Sequence, residues 1–269
     1  MEPGSVEDDD FTYSFGNATV GFATVCGKTK YEANSTYQYN VHHATAYHAS
    51  SPTYNTGTGF CFATVTYGDP PDVVYGLGLC RGDTPDWLTC YECLATASVV
   101  APTLCPYGRD ATLFYDGCTV RFSDNDFLGS KDNEPVVMLN SSVVKPAAVA
   151  KSFDTLVDRL LNETAEQAAA SNVLSMKFAT GEAVFGAGDQ QTTVYCLVQC
   201  TPSLTPGECS GCLKKVMDTL ALRSRVSLGQ RVAGVRCNVR FEVYPFYVGE
   251  AMVRIGGSDS TSKRECYIK

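Results

Sequence analysis

The sequence predicts an α+β protein of two tandem domains, each a two-helix layer packed on an antiparallel β-sheet of about five strands and stapled by disulfides. Three observations carry this: an internal repeat, apolar patterns that switch between helical and strand periods, and a heavy load of cysteine. "DVVYGLGLCRGDTPDWLTCYECL" at 72–94 has a partner in "TTVYCLVQCTPSLTPGECSGCL" at 192–213. Cys80, Cys90 and Cys93 therefore correspond to Cys200, Cys209 and Cys212. Upstream, Phe62-Ala63-Thr64 aligns with Phe178-Ala179-Thr180. Downstream, the spacing of Cys93, Cys105 and Cys118 counted from Cys212 lands on Ser224 and Cys237.

The elements follow in order. The first helix of repeat 1 is "YQYNVHHATAYHA", aligned with "FDTLVDRLLNETA" in repeat 2. In the latter, Phe153, Leu156, Val157, Leu160 and Leu161 recur at steps of three and four, which predicts an amphipathic helix near 151–170. A second helix is predicted from Cys93 through "LATASVV" and from Cys212 through "LKKVMDTLALRS". Asp116-Gly117 just before Cys118 is a two-residue hairpin signal. In "VRCNVRFEVYPF", Val235, Cys237, Val239, Phe241 and Val243 share one face, and Arg236, Asn238, Arg240 and Glu242 the other, as in a half-buried strand. The polar run "GSKDNEP" supplies the join. The predicted division is an N-terminal segment 1–19, a first domain 20–129, a linker 130–135, a second domain 136–256 and a tail 257–269.

Thirteen cysteines in 269 residues fit an oxidising compartment. Four sequons, at Asn17, Asn34, Asn140 and Asn162, agree with passage through the secretory pathway and are candidate glycosylation sites. The start "MEPGSVEDDDF" is acidic, lacks an apolar run and reads as a mature start rather than a signal peptide. No apolar run reaches about 18 residues, so no membrane span is expected within the sequence. The chain reads as secreted and extracellular, or as the outer part of a protein tethered by a further segment; the polar ending "GGSDSTSKRECYIK" favours secretion. Charge is uneven: residues 1–130 hold 5 Lys/Arg against 15 Asp/Glu, and 131–269 hold 16 against 14. Lys214, Lys215, Arg223, Arg225, Arg231, Arg236 and Arg240 cluster in repeat 2, and read as a solvated basic face towards the acidic repeat in preference to a patch for an acidic wall polysaccharide or lipid head groups. An acidic secreted chain excludes nucleic acid as a partner.

Repeat 1 also has Cys26 ahead of its first helix, where repeat 2 has Ser142. Repeat 2 thus lacks cysteines at the positions of both Cys26 and Cys105, and a bridge lost as a unit explains both serines. That implies Cys26–Cys105. The four cysteines kept by repeat 2 still allow three connectivities. "CYEC" and "CSGC" could supply two zinc ligands each, but a third cysteine upstream of each pair favours staples. Cys61, Cys196 and Cys266 lie outside the shared framework, and an odd total leaves at least one thiol free or paired between chains.

"FATG", "YCLVQCTPSLTPGECSGCL" and "RVAGVRCNVRFEVYPFY" together resemble the plant stress-antifungal domain, also called the ginkbilobin-homologous domain, over roughly 20–250. The resemblance implies Cys80–Cys90, Cys93–Cys118 and Cys26–Cys105 in repeat 1, with Cys200–Cys209 and Cys212–Cys237 in repeat 2. Mannose-binding members of that family use an Asn just after the first cysteine, an Arg six before the last and a Glu five after it. Repeat 1 has Gly27, Thr112 and Ser123 there; repeat 2 has Val143, Arg231 and Glu242. The implied carbohydrate-binding residues are therefore Arg231 and Glu242, on facing strands. Guanidinium donates, carboxylate accepts, and vicinal hydroxyls do both. The plainer alternative is a salt bridge between the two strands.

No nucleophile elbow, phosphate loop or zinc-protease helix appears, so no enzyme and no cofactor are expected. His42, His43 and His48 sit at steps that do not converge on one helical face, so no metal site is read there. Trp87 reads as an anchor within the Cys80–Cys90 loop, and Arg81-Gly82-Asp83 as chance turn chemistry. Two functions remain: a secreted antifungal defence lectin for mannose-type wall glycans, or the ectodomain of a cysteine-rich receptor-like protein with a protein partner at the cell surface.

Overall fold

The computed structural model describes residues 5–7, 11–15, 22–50, 53–54, 61–141, 147–171, 177–186, 191–223 and 227–256. The first domain holds strands β1 (Ser5–Glu7), β2 (Phe11–Phe15), β3 (Ala23–Gly27), β4 (Thr53–Tyr54), β5 (Cys61–Tyr67), β6 (Val74–Cys80), β7 (Ala111–Phe114) and β8 (Cys118–Ser123). They form one antiparallel sheet in the order β1-β2-β3-β7-β8-β6-β5-β4. The second domain holds β9 (Val137–Asn140), β10 (Phe178–Phe185), β11 (Thr192–Cys200), β12 (Gln230–Ala233), β13 (Cys237–Glu242) and β14 (Val253–Ile255), in the order β14-β10-β11-β13-β12-β9. Three features exceed the five-strand expectation. The two-residue β4 adds an edge beside β5 of the first sheet. Strands β1 and β2, within the segment set apart as 1–19, extend the first sheet from β3, and β14 adds a parallel edge to the second.

Each sheet carries two helices: α1 (Thr36–Ser50) and α2 (Trp87–Leu104), then α3 (Ala150–Ala170) and α4 (Pro206–Arg223). The predicted stripe of α3 is the buried one, with Phe153, Val157, Leu160 and Leu161 in the second core. The second helix of each domain starts earlier than its apolar pattern. Asp86 caps α2 by accepting from the Thr89 amide at 2.8 Å. At α4 a capping box joins Thr205 and Glu208, whose carboxylate accepts from the Thr205 amide at 2.7 Å. Pro206 follows, where a missing N–H costs nothing.

These early starts place Cys90 and Cys93 one turn apart on α2, and Cys209 and Cys212 likewise on α4. Five disulfides result: Cys80–Cys90, Cys93–Cys118 and Cys26–Cys105, then Cys200–Cys209 and Cys212–Cys237. Cys196 is a buried free thiol, pushed up to about 12 by burial against the opposing hydrogen bonds of Thr164 and Gly181. The side chain of Cys61 and all of Cys266, Ser142 and Ser224 lie outside the described residues.

The hairpin signal holds: Tyr115 donates to the carbonyl of Cys118 at 2.8 Å, leaving Asp116-Gly117 as the turn. Its counterpart is Val235-Arg236, closed by Gly234 donating to Cys237 at 3.1 Å. Val235 consequently sits in the turn and not on the core face of β13. It packs with Leu77, Leu79, Phe127 and Phe178 in an apolar cluster between the domains. A second interdomain cluster joins Ala23, Val25 and Phe114 to Val137 and Ala233. Burial of each large side chain here contributes roughly 1.5–3 kcal/mol, more than an ion pair at a half-exposed group, so the apolar clusters dominate the join. The linker takes part too. Asn133 Oδ1 accepts from the amides of Arg236 (2.7 Å) and Cys237 (2.8 Å), which fixes the second turn against the first domain's exit.

Arg81-Gly82-Asp83 is a fastener rather than chance. The Gly82 amide donates to Gln199 Oε1 (3.1 Å), whose Nε2 donates back to the carbonyl of Cys80 (2.8 Å). Asp83, buried, accepts from the Val248 amide at 2.8 Å. A Cβ on Gly82 would collide with the Phe178 side chain, so only glycine lets that ring pack this closely against the 81–83 backbone. Gly82→Ala should therefore cost about 1–3 kcal/mol, read as a lowered urea midpoint. An unchanged midpoint would mean the contact yields without cost.

Candidate functional site

A cavity of about 540 Å³ opens between the domains, a size suited to a small ligand. The first domain contributes Phe22 and Asp116. The second contributes Leu139, Asn140 and Ser141 at the end of β9, then Arg231 from β12 and Arg240 and Glu242 from β13. Tyr244, Pro245 and Phe246 complete the wall.

Strand register explains the charged set. Arg231 lies opposite Arg240, and alternation along β13 puts Glu242 on the same face as Arg240. Arg231 and Glu242 thus line one cavity, but they do not pair with each other. Arg231 Nη1 and Arg240 Nη1 both donate to Asp116 Oδ1 at 2.8 Å, and Arg81 Nη1 donates to Oδ2 at 2.9 Å. Glu242 accepts from Arg240 Nε at 3.2 Å, and Arg240 Nη2 reaches the Tyr244 hydroxyl at 3.0 Å. The Arg231 guanidinium lies 3.8 Å from the centre of the Phe22 ring, and that of Arg240 lies 4.2 Å from Phe246. Burial pushes Arg231 down to about 9, with Asp116 opposing, so it stays charged at neutral pH. Burial works to raise the Asp116 carboxyl, but Arg231, Arg240 and Arg81 outweigh it and hold the group below its ordinary 3.8.

Val143, the position of the family's amide, lies outside the described residues. The Asn140 amide lines the cavity instead, its Oδ1 accepting from Gln230 Nε2 at 2.9 Å. Of the other sequons, Asn34 occupies a left-handed turn at φ 60° before α1, Asn162 lies within α3, and Asn17 is outside the described residues.

Other expectations change. Trp87 opens α2, is 41% exposed and stacks on Tyr91 at 5.1 Å, so it does not anchor a loop. His43 stacks on Tyr67 at 5.2 Å. Of the basic cluster, Arg231, Arg236 and Arg240 do face the first domain, while Lys214 and Lys215 are exposed on α4. Sequence reasoning missed Asp116 as a site residue. It also counted Arg240 only as part of a basic patch, although its place two residues before Glu242 on the polar face of β13 was the available signal.

The family profile described as Salt stress response/antifungal matches residues 25–125 and again 140–244. Among curated proteins, the chain is 38% identical over 227 residues to cysteine-rich receptor-like protein kinase 6 of Oryza sativa subsp. japonica, covering 84% of this chain and 32% of that protein. It is 37% identical to putative cysteine-rich receptor-like protein kinase 9 of Arabidopsis thaliana, covering 81% and 79%. It is 35% identical to cysteine-rich repeat secretory protein 38 of the same plant, covering 69% and 70%. The chain spans about a third of the length of the first of these. Among solved structures, the tandem DUF26 ectodomain of the Arabidopsis cysteine-rich receptor-like protein PDLP8 superposes with a TM-score of 0.65 at 22% identity, covering 83% of this chain and 97% of that one, which establishes the shared fold.

Asp116 also sets a pH dependence. Its folded pKa lies below the unfolded one, so its contribution is present above about pH 4 and is lost as pH falls through the lowered value. Urea midpoints followed from pH 7 to pH 3 should fall less steeply in Asp116→Asn than in the wild type. Superimposable pH profiles would show that the three arginines do not depend on this carboxylate.

Proposed function

Since the chain belongs to the Salt stress response/antifungal family, carried in tandem, we propose that it is a non-catalytic, secreted recognition protein that binds mannose-type glycan in its interdomain cavity. One observation carries the reading. Arg231 and Glu242, two residues at the family's sugar-binding positions, open on one cavity of about 540 Å³ together with Arg240, Asp116 and the Asn140 amide. Donors and acceptors alternate around that wall, as adjacent sugar hydroxyls require. Tyr244, 49% exposed, offers an aromatic face beside them. The site acts in the apoplast, in plant defence against fungi.

A secretory relative and receptor-like relatives support an extracellular setting. The kinase in the receptor names belongs to those longer proteins, and nothing in the cavity calls for catalysis. A second reading, recognition of a protein partner as part of a receptor-like protein, draws on α2. There Trp87, Leu88 and Val99 are exposed apolar side chains on one helix.

Arg231 is already committed to Asp116, so a sugar adds to that pairing and single-sugar affinity should be weak, on the order of millimolar or about −4 kcal/mol. Titration with mannose should give saturable amide shifts at Arg231 and Glu242 that vanish in Glu242→Ala. No saturable shift at high sugar would defeat the mannose reading, and the protein-partner reading would lead.

A further inference from the structure

We infer that this cavity has a covalently tethered occupant, an N-linked glycan rooted on Asn140. Asn140 ends β9, the edge strand of the second sheet, opposite Gln230. Its side chain is exposed and lines the cavity beside Arg231 and Glu242. Gln230 Nε2 donates to Oδ1 at 2.9 Å, which turns Nδ2, the atom that accepts a glycan, away from Gln230. The sequence reads Asn140-Ser141-Ser142, a complete sequon. The other described sequons differ. Asn34 does not line the cavity, and Asn162 Nδ2 donates back to the carbonyl of Asp158 at 2.7 Å within α3.

The transfer uses a lipid-diphosphate-linked oligosaccharide of the secretory pathway as co-substrate. Nδ2 forms an N-glycosidic bond to the anomeric carbon, the anomeric C–O bond breaks, the lipid diphosphate leaves, and one Nδ2 proton is lost to the transferase. The attached sugars then start from the cavity wall. A short tether gives an effective concentration in the millimolar range, comparable to the dissociation constant expected for free mannose. The tethered glycan therefore competes with free sugar without any special affinity. Its competitive effect rests on the mannose reading above; its covering of the wall does not.

The test uses the full chain secreted from a host that N-glycosylates, beside Ser142→Ala, which removes the sequon and keeps the Asn140 amide. Peptide mass mapping should find Asn140 occupied in most of the wild-type protein. Hydrogen exchange at the Tyr244 and Phe246 amides should be several-fold slower in the glycosylated protein than in Ser142→Ala. Trimming the wild-type glycan to its first sugar should move exchange towards the variant's rate, a check that does not depend on how the variant folds. Mannose should bind Ser142→Ala about twofold more tightly than the wild type, the factor set by a tethered concentration close to the dissociation constant. An unoccupied Asn140, or exchange unaltered by both trimming and substitution, would overturn the inference. Slowed exchange with no mannose binding in Ser142→Ala would leave the tethered glycan standing and remove the mannose reading instead.

Discussion

The bridge from the second helix to the hairpin strand, Cys93–Cys118 in one domain and Cys212–Cys237 in the other, positions the two turns that cross between the domains. Each bridge anchors the first residue of a strand immediately after a two-residue turn. The turn is thereby held at a fixed height above its own sheet, and each turn projects into the other domain. Asp116 reaches Arg231 and Arg240, while Val235 and Arg236 reach Phe127 and its neighbours. The cavity is the space left where the first of these turns meets the second sheet. A covalent constraint local to each domain thus becomes a long-range one.

The two turns work by different physics. Asp116 is a half-exposed carboxylate that gathers three guanidiniums, and its burial penalty is outweighed by their charge. Arg236 carries its charge into the interface, only 1% exposed, and meets carbonyls instead of a carboxylate. Its Nη2 donates to Phe127 (2.5 Å) and Leu128 (3.2 Å), while Nε and Nη1 have no hydrogen-bond partner among the described residues. Burial lowers its pKa, with the Arg121 charge adding to the effect. A charge held this way contributes little net stability, and its value lies in admitting one docking geometry. The apolar clusters around it supply the affinity.

Much of the architecture within each domain was legible in the sequence, because its determinants are local. The stripe of α3, the Asp116-Gly117 turn and the alternation of β13 each depend on residues a few positions apart. The Cys26–Cys105 bridge was legible from two serines in the other repeat. Interdomain features were not. The Arg81-Gly82-Asp83 triplet takes its meaning from Gln199, Phe246 and Val248, more than a hundred residues away, and no spacing rule links them. Val235 was assigned to the core face because its alternation with Cys237 is perfect; the turn that removes it from the strand is closed by Gly234 and capped by Asn133. The candidate site was half legible for the same reason. Arg231 and Glu242 follow from spacing about Cys237, whereas Asp116 comes from the other repeat.

The unequal number of bridges has a packing counterpart. In the first domain, α1 has 15 residues and, among its described side chains, buries Tyr37, Val41 and Ala44. Cys26–Cys105 ties β3 to the end of α2 across 79 residues, and closure of a loop that long contributes about 4.5 kcal/mol in the chain-entropy view. In the second domain, α3 has 21 residues and buries Phe153, Val157, Leu160 and Leu161. Each of those contributes roughly 1.5–3 kcal/mol, together more than the missing bridge. The domain with two bridges thus carries the longer first helix, 21 residues against 15. That leaves its β12–β13 surface, with Arg231, Arg240 and Glu242, resting on a domain with two bridges, while the first domain presents Asp116 from one with three.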